Sequence, residues 1–335
     1  MMRYRLFGQT GLRVSEVVLG TMALREVDEY RRVLGVFAEA GGNFVDTATA
    51  YGNSEELLGE VLTRRDRFVI GTKYTLSRDP SDLNAAGNHR KNLVLSLENS
   101  LRRLRTDYID VYWVHIWDRL TPIEETMRAL DDVVRSGKVL HIGISDAPAW
   151  VVARANTFAQ LRDRTPFAAV QVPYNLLWRD IERELLPMAE AFGMSVTAWA
   201  PLGQGVLTGA AGQRTDPAQF SARQRAAATA VAKVADELGV PAAHVALAWT
   251  RHRSAAVLPI VGVSSAEQLR VNLDALDLVL PTEAVRTLEE SAPFELGFPS
   301  DFIANYDDAA RAYGDAAPRV DAPGLPRGAA WGLQR

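Results

Sequence analysis

The chain has 335 residues, of which 47% are hydrophobic and none is cysteine, and its formal net charge is −4. This length and apolar fraction can bury a sizeable core, so we expect a globular fold without disulfides or Cys-ligated zinc. The slight acidic excess does not favour contact with a phosphate backbone, so no nucleic-acid partner is expected.

The sequence also carries no targeting or metal-binding signal. No apolar run of about 18 residues occurs, and the opening MMRYRLFGQTG lacks the apolar segment of a secretory signal. We therefore expect no membrane association, and the cytoplasm is the expected compartment. The five histidines show no HExxH-type spacing, so no metal site is expected. A homo-oligomer is left open.

The first predicted element is a β-hairpin. The stretch RYRLFGQTGLRVSE, residues 3–16, places Gly8 and Gly11 at a turn between two short extended runs.

From residue 17 to residue 275, short apolar runs bounded by turn residues alternate with segments of helical period. The runs are, in chain order, EVVLGT (16–21), NFVDT (43–47), RFVIGTK (67–73), YIDVYWVH (108–115), KVLHIGIS (138–145), AAVQVPY (168–174), SVTAWAPL (195–202) and AAVLPIVG (255–262). Nearly continuous apolar strands indicate parallel strands covered on both faces. Eight strand-helix units then predict a closed (β/α)8 TIM barrel, with a doubly wound open sheet as the alternative.

The helical segments between the strands have regular apolar spacing. In NLVLSLENSLRRL the leucines at 93, 97, 101 and 104 share one face, and in ETMRALDDVVRSG the same holds for Met127, Leu130 and Val134. Gly137 stands where a glycine would end the second helix.

The chain is longer than a plain barrel of about 250 residues, so it must carry additions to the core at 17–275. We expect one domain over residues 1–335, with the hairpin closing the barrel bottom. A long polar loop, PLGQGVLTGAAGQRTDPAQFSARQ (201–224), follows the seventh strand, and such loops are commonly functional. The segment from about Pro293 to the end is expected to be a wrapping tail or partly disordered.

Polar side chains end three consecutive predicted strands. Asp46 ends the second, Lys73 the third and His115 the fourth, and Tyr51 follows Asp46 by five positions. In a barrel these groups meet at the C-terminal mouth. A phenol is a weak acid, but an ammonium group such as Lys73 beside it stabilises the phenolate, and a carboxylate such as Asp46 keeps a buried lysine charged. His115 could then hydrogen bond to the same substrate oxygen.

Taken singly, these residues have ordinary structural explanations. Asp46 could be a turn cap, Tyr51 a rim ring, Lys73 a surface charge and His115 a barrel histidine whose hydrogen bonds are satisfied. Their convergence at one mouth favours a catalytic site.

Several motifs resemble the aldo-keto reductase superfamily over residues 3–290. They are NFVDTATAYGNSEELLGEVL, TKY, YIDVYWVH, KVLHIGIS, VQVPYNLL and AWAPLGQGVLTG, and GNHRKNL and GISDAPAWVV are most similar to its bacterial and fungal aryl-alcohol dehydrogenases and sugar-type reductases. The resemblance implies that Asp46, Tyr51, Lys73 and His115 form a catalytic tetrad in which Tyr51 protonates a carbonyl oxygen while NADPH delivers hydride.

The resemblance also implies cofactor contacts. Ser145 and Gln171 match positions that hold the nicotinamide carboxamide, Trp199 matches the stacking aromatic, and Asp146 stands where many members have asparagine. GQGVLTG is interpreted as a flexible loop over the pyrophosphate, because it lacks dinucleotide-fingerprint spacing. The full predicted set is Gly20, Thr21, Met22, Asp46, Ser145, Asp146, Gln171, Trp199, Pro201, Leu202, Gln204, Gly205, Gly262, Ser264, Gln268 and Asn272.

The adenosine-phosphate end departs from the family pattern. Ser264, Gln268 and Asn272 match family positions, and the helix N-terminus at Ser264 and Ser265 would attract a phosphate. Gly262 and Gln268, however, replace the lysine and arginine that many members use, and Ala210 replaces a further lysine. NADP is the expected cofactor by kinship, with a weakened preference and NAD as the alternative.

The expected substrate is a small hydrophobic aldehyde or ketone. The aromatic rim of its pocket would comprise Trp117 and, if the tail folds over the mouth, Phe294, Phe298, Phe302 and Tyr306, together with Met22. One alternative is a nucleotide-linked keto-deoxysugar, including a 2,3-enoyl form, whose phosphates could meet Arg25, Arg119 or Arg179. Two further alternatives are a cofactor-binding regulatory subunit without turnover and a hydrolytic or isomerising barrel.

Overall fold

The fold is a closed barrel of eight parallel strands. The computed structural model describes residues 1–209 and 216–306. The barrel strands are β3 (Val18–Gly20), β4 (Phe44–Asp46), β5 (Val69–Tyr74), β6 (Ile109–Val114), β7 (Val139–Ser145), β8 (Ala169–Pro173), β9 (Ser195–Trp199) and β10 (Val257–Gly262). All eight predicted runs form strands. The open-sheet alternative is wrong, because β10 pairs with both β9 and β3 and closes the barrel.

Helices cover the outside of the barrel. They are α1 (Val27–Glu39), α2 (Ser54–Val61), α3 (Arg90–Leu104), α4 (Ile123–Arg135), α5 (Ala149–Leu161), α6 (Leu185–Ala191), α7 (Ala222–Leu238), α8 (Ala242–His252), α9 (Ala266–Asp274), α10 (Thr282–Ser291) and α11 (Ser300–Tyr306). The four leucines predicted to share one face of α3 are all buried, and α4 ends two residues before Gly137, whose φ is +77°. In the described part of the chain, no helix is long and apolar enough to cross a membrane.

The N-terminal hairpin closes the bottom of the barrel, as predicted. Its strands β1 (Tyr4–Leu6) and β2 (Arg13–Ser15) pair antiparallel. Phe7, which follows β1, is fully buried, with its ring 5.6 Å from that of Phe44 and edge to face. The Gly8 amide donates to Ser195 Oγ at 2.8 Å, and a Cβ atom at Gly8 would lie 2.2 Å from the Ala168 carbonyl oxygen. A glycine is therefore required where the hairpin meets the strands.

The segment after β9 contains more structure than the sequence predicted. Residues Gly203–Thr208 form 3-10 turns with a kink at Gln204 and Gly205, whose φ values are +59° and +103°. Val206 and Leu207 of this segment are buried and anchor it to the core. A second 3-10 turn at Pro217–Gln219 precedes α7. Ala210 and most of the predicted tail, from residue 307 onward, lie outside the described residues.

Candidate active site

Strand alternation and strand pairing bring three catalytic candidates together at the barrel mouth. Thr72 points outward and donates to Glu55 on α2 at 2.6 Å. The next residue, Lys73, therefore points into the barrel, since successive side chains in a strand face opposite sides. Asp46 ends β4 next to β5, and His115 follows the last residue of β6.

Asp46 and Lys73 form an ion pair buried inside the mouth. Their carboxylate and ammonium are in direct contact, with side-chain exposures of only 3% and 0%. Lys73 Nζ also donates to the Thr47 carbonyl at 2.7 Å, and Gln171 Nε2 donates to Asp46 Oδ1 at 3.1 Å. The side-chain amide of Gln171 is thus partly committed to Asp46, a contact that the sequence did not predict.

The surroundings of the pair keep Lys73 in its charged form. Burial lowers the pKa of Lys73, but the interactions of its ammonium with Asp46 and Tyr51 outweigh burial, so the pKa lies above its ordinary value. Burial raises the pKa of Asp46, against the opposing effects of Lys73 and Gln171. An ammonium at hydrogen-bond distance favours the carboxylate, and either buried charge alone would be strongly destabilising.

Tyr51 lies over this pair. Its ring centroid is 4.8 Å from Lys73 Nζ, and its ring meets that of His115 edge to face at 5.9 Å. The loop that carries Tyr51 is fixed to β5, because the Thr49 amide and hydroxyl donate to the Lys73 carbonyl at 3.2 and 2.9 Å. The five-residue step from Asp46 thus places the phenol above the ammonium.

His115 is neutral at physiological pH. Burial, and secondarily the charge of Lys73, lowers its pKa to about 3. Its Nδ1 atom is buried without a hydrogen-bond partner. A neutral imidazole can donate one hydrogen bond to a substrate oxygen while adding no charge beside Lys73.

This low pKa predicts acid sensitivity. Between about pH 6.5 and pH 3 the unfolded chain binds a proton on His115 that the folded chain does not. The contribution of His115 to the unfolding free energy is therefore fully present above pH 6.5 and falls as the pH drops, by up to about 1.4 kcal/mol per pH unit. Urea unfolding of a His115→Gln variant from pH 7 to pH 4.5 should therefore show a shallower decline than the parent. The exposed His252 provides the control, and an equal change of slope in His252→Gln and His115→Gln would contradict the assignment.

A cavity of about 1260 Å³ opens beside these groups and runs to the end of β10 and the start of α9. Every residue predicted to contact the cofactor lines it, as do Tyr51 and His115, whereas Lys73 lies behind Asp46 and Tyr51. Sequence reasoning did not assign Leu76, Ala243, Glu267 and Val271, which also line it. Leu76 could have been found as the third residue after Lys73, but nothing local marks the others.

Around the catalytic candidates, the cavity wall is built from β7, β8 and β9. Trp199 meets Trp178 edge to face at 5.9 Å, and its Nε1 donates to Asp146 Oδ1 at 3.3 Å. Asp146 has a left-handed backbone with φ of +45°. Burial raises the pKa of its carboxyl, opposed by the bond from Trp199 and the charge of Lys73.

At the far end of the cavity, the polar groups at the start of α9 already have partners within the protein. The helix begins at Ala266 with Ser265 as its N-cap. The Ser264 amide and hydroxyl both donate to Gln268 Oε1, at 2.9 and 3.1 Å. The Ala266 amide donates to a carboxylate oxygen of Glu29 on α1, at 2.6 Å. A side chain from another helix therefore already uses the first amide of this N-terminus.

The three arginines predicted to meet a second phosphate differ in their position relative to the cavity. Arg25 lines the cavity, and Arg119 is exposed outside its lining. Arg179 is not available to a phosphate. It is buried and makes two hydrogen bonds to Glu182, at 2.9 and 3.0 Å.

The predicted aromatic rim does not line this cavity among the described residues. Trp117 packs edge to face on Trp150 at 5.4 Å, and Phe294 lies against the guanidinium groups of Arg179 and Arg183. Of the rim residues whose side chains the structure describes, Met22 alone lines the cavity. The side chain of Tyr306 lies outside the described part.

Within residues 1–209 and 216–306, no group of three or more His, Asp or Glu side chains could hold a metal ion.

Comparison with known proteins identifies similar sequences over most of the chain. The model of the Aldo/keto reductase family matches residues 16–293. A norsolorinic acid reductase of Aspergillus flavus is 38% identical over 323 residues, covering 89% of this chain and 83% of the relative. A norsolorinic acid reductase of Emericella nidulans is 41% identical, covering 88% of this chain and 82% of the relative. An aryl-alcohol dehydrogenase [NADP(+)] of Phanerodontia chrysosporium is 36% identical, covering 86% and 85%.

Proposed function

The chain belongs to the aldo/keto reductase family, and on that premise we propose that it reduces aldehyde or ketone carbonyls with NADPH, with Tyr51 as the proton donor. Its relatives make it an oxidoreductase, so the hydrolytic or isomerising barrel is set aside. One observation carries the proposal: Tyr51 lies over the buried Asp46–Lys73 pair, beside His115, at the wall of a large cavity.

Each residue has a separate task in this reaction. The Tyr51 hydroxyl gives its proton to the carbonyl oxygen, and the Lys73 ammonium stabilises the phenolate that remains. Asp46 keeps Lys73 charged, since a buried ammonium without a counter-charge would lose its proton. The neutral His115 ring orients the carbonyl oxygen toward the phenol. The nicotinamide, when bound, supplies hydride to the carbonyl carbon.

The cavity suits a dinucleotide together with a substrate. Its volume exceeds the roughly 300–1,000 Å³ of common single-ligand pockets. The Trp199 ring offers an aromatic face, and Ser145, Asp146 and Gln171 offer polar atoms close to Tyr51. These residues would hold the nicotinamide end, while Ser264, Gln268 and Asn272 would hold the adenosine end.

The proposed substrate is an apolar, preferably aromatic, carbonyl compound. Met22 and Leu76 give the cavity mouth two partly exposed apolar side chains, and the names of the relatives include aryl-alcohol dehydrogenases. The nucleotide-linked sugar has weaker support, because Arg25 is the only one of its three candidate arginines that lines the cavity.

A spectrophotometric assay tests the proposal. Purified protein is mixed with NADPH and with aromatic, aliphatic and sugar carbonyls, and the absorbance of the reduced nicotinamide is followed. We expect oxidation of NADPH, fastest with aromatic aldehydes or ketones. Tight binding of NADPH without oxidation by any carbonyl would instead favour a regulatory role. Failure to bind either nicotinamide dinucleotide would overturn the proposal.

The preference for NADPH over NADH is expected to be small. A charge-assisted contact to a phosphate contributes about 1.5–3 kcal/mol, and Gly262 and Gln268 supply none. The described lining of this end also includes the carboxylate of Glu267, and Glu29 uses the Ala266 amide. We expect dissociation constants for NADPH and NADH that differ by roughly tenfold or less.

Glu29 provides a direct test of this explanation. Glu29→Gln removes a negative charge at the start of α9, so NADPH should bind roughly three- to tenfold tighter while NADH changes little. Glu39→Gln, at the exposed far end of α1, is the matched control for net charge. Equal tightening of both dinucleotides by Glu29→Gln, or the same NADPH gain from Glu39→Gln, would contradict a local effect on the 2′-phosphate.

A further inference from the structure

The segment GNHRKNL, residues 87–93, contains a buried asparagine that connects two loops of the mouth. The Asn88 amide donates to Asp118 Oδ2 at 2.7 Å, and the Asp118 amide donates back to Asn88 Oδ1 at 2.9 Å. Asn88 lies in the connection after β5 and Asp118 in the connection after β6. The reciprocal pair therefore joins the loop after β5 to the loop after β6, which begins at His115.

The side-chain amide of Asn88 makes two further bonds. Its Nδ2 donates to Thr75 Oγ1 at 2.8 Å and to the Ile116 carbonyl at 3.0 Å. Thr75 Oγ1 also accepts from the His115 amide at 3.3 Å. The asparagine side chain thus uses both N–H groups and its oxygen, on Thr75, Ile116 and Asp118.

Thr75 has a strained backbone conformation that the surrounding hydrogen bonds must maintain. Thr75 is β-branched, yet its φ is +108°, a conformation that persists only where the surroundings enforce it. The Gly87 amide donates to the Thr75 carbonyl at 2.8 Å, so the residues before and at Asn88 hold both polar ends of Thr75.

His115 itself is fixed through its backbone. Its amide donates to the Tyr74 carbonyl at 3.1 Å and to Thr75 Oγ1, whereas the ring atom Nδ1 has no partner. The position of the ring beside Tyr51 consequently depends on where the two loops place the backbone of His115.

We propose that Asn88 is a positioning residue, which holds the imidazole of His115 against Tyr51 by joining the loops after β5 and β6. The proposal rests on the function proposed above. Asn88 touches neither the substrate nor the reacting atoms, so its loss acts through His115.

Kinetics of single and double variants test this role. Asn88→Ala should lower kcat by roughly 10- to 100-fold and leave the dissociation constant for NADPH within about threefold. In a His115→Ala background the same change should cost less than about threefold, because two residues that act through one group are not additive. Full additivity of the two losses would overturn the proposal.

Two matched variants separate positioning from general damage. Asn92, also buried in this segment, donates to the Gly87 carbonyl and accepts from Arg78 without contacting the His115 loop. Asn92→Ala should lower thermal stability but keep kcat within about threefold of the parent. If it lost kcat as Asn88→Ala does, the role of Asn88 would be merely structural.

Thr75→Val removes only the hydroxyl between Asn88 and His115, and it replaces Asn88→Ala as the test if that variant does not fold. It should reproduce the kcat loss, and wild-type kcat in Thr75→Val would refute the proposal.

Nuclear magnetic resonance titration of His115 gives a readout that needs no substrate. The parent ring should not titrate between pH 5 and pH 8, because burial holds its pKa near 3. Loosened loops admit water, so the pKa should rise toward 6.5 in Asn88→Ala and stay low in Asn92→Ala. An unchanged His115 titration in Asn88→Ala would sink the positioning role even if no carbonyl substrate were found. A shifted titration would support it independently of the reductase proposal.

Discussion

Tyr51→Phe is expected to lower kcat for carbonyl reduction by about 10²- to 10⁴-fold, the range that a general acid supplies. The substitution removes one hydroxyl and keeps the ring that lies 4.8 Å from Lys73 Nζ and edge to face with His115. The cavity keeps its shape, so the dissociation constant for NADPH should stay within about twofold. Turnover under saturating cofactor and a fluorescence titration of NADPH measure the two quantities separately.

A deuterated nicotinamide shows whether hydride transfer limits the rate in the parent and in the variant. If hydride transfer limits both and Tyr51→Phe retains wild-type kcat, the proton does not come from this phenol. Tyr108→Phe is the control, because its ring packs on Arg65 at the other end of β6 and away from the mouth.

Lys73→Met is expected to affect both turnover and stability. Without the ammonium, the phenolate left by proton transfer loses its stabilising charge, so kcat should fall by at least about 10²-fold. The carboxylate of Asp46 is also left buried without its partner, which typically costs 3–5 kcal/mol of unfolding free energy. Urea unfolding and steady-state kinetics of the same preparation test both effects.

The double variant Asp46→Asn with Lys73→Met distinguishes these two effects. It removes the lone charge while keeping the shape of the side chain, and the amide oxygen can still accept from Gln171, as Asp46 Oδ1 does in the parent. We expect most of the lost stability to return and kcat to remain low. Recovery of turnover along with stability would show that Lys73 matters for folding alone, and that its charge is not needed for proton transfer.

In this site the catalytic charges are buried behind the groups that would touch the substrate. The charged Asp46–Lys73 pair lies at the back, buried to 3% and 0% side-chain exposure. Tyr51 and His115 stand in front of this pair at the cavity wall, and the imidazole, with a pKa of about 3, is neutral at neutral pH. A carbonyl group that reaches Tyr51 therefore meets no imidazolium charge from His115.

The sequence by itself determined the barrel and the location of the catalytic candidates. Eight apolar runs separated by helical periods leave few arrangements, and parallel strands buried on both faces place their C-terminal ends at one mouth. Asp46, Lys73 and His115 were found because each stands at the end of such a run. Local features of this kind can be read from neighbouring residues alone, and the turn glycines Gly8 and Gly137 belong to the same class.

Only the tertiary structure decided which polar groups are partners. Glu29 reaches the Ala266 amide across 237 positions, Gln171 reaches Asp46 across 125, and Asn88 and Asp118 meet between two loops. Arg179 could be considered for a phosphate until the fold buried it against Glu182. A hydrogen bond is short and directional, so its partner depends on ångström-scale packing of distant segments, whereas the periodicity that specifies strands and helices is repeated in every local stretch of the chain.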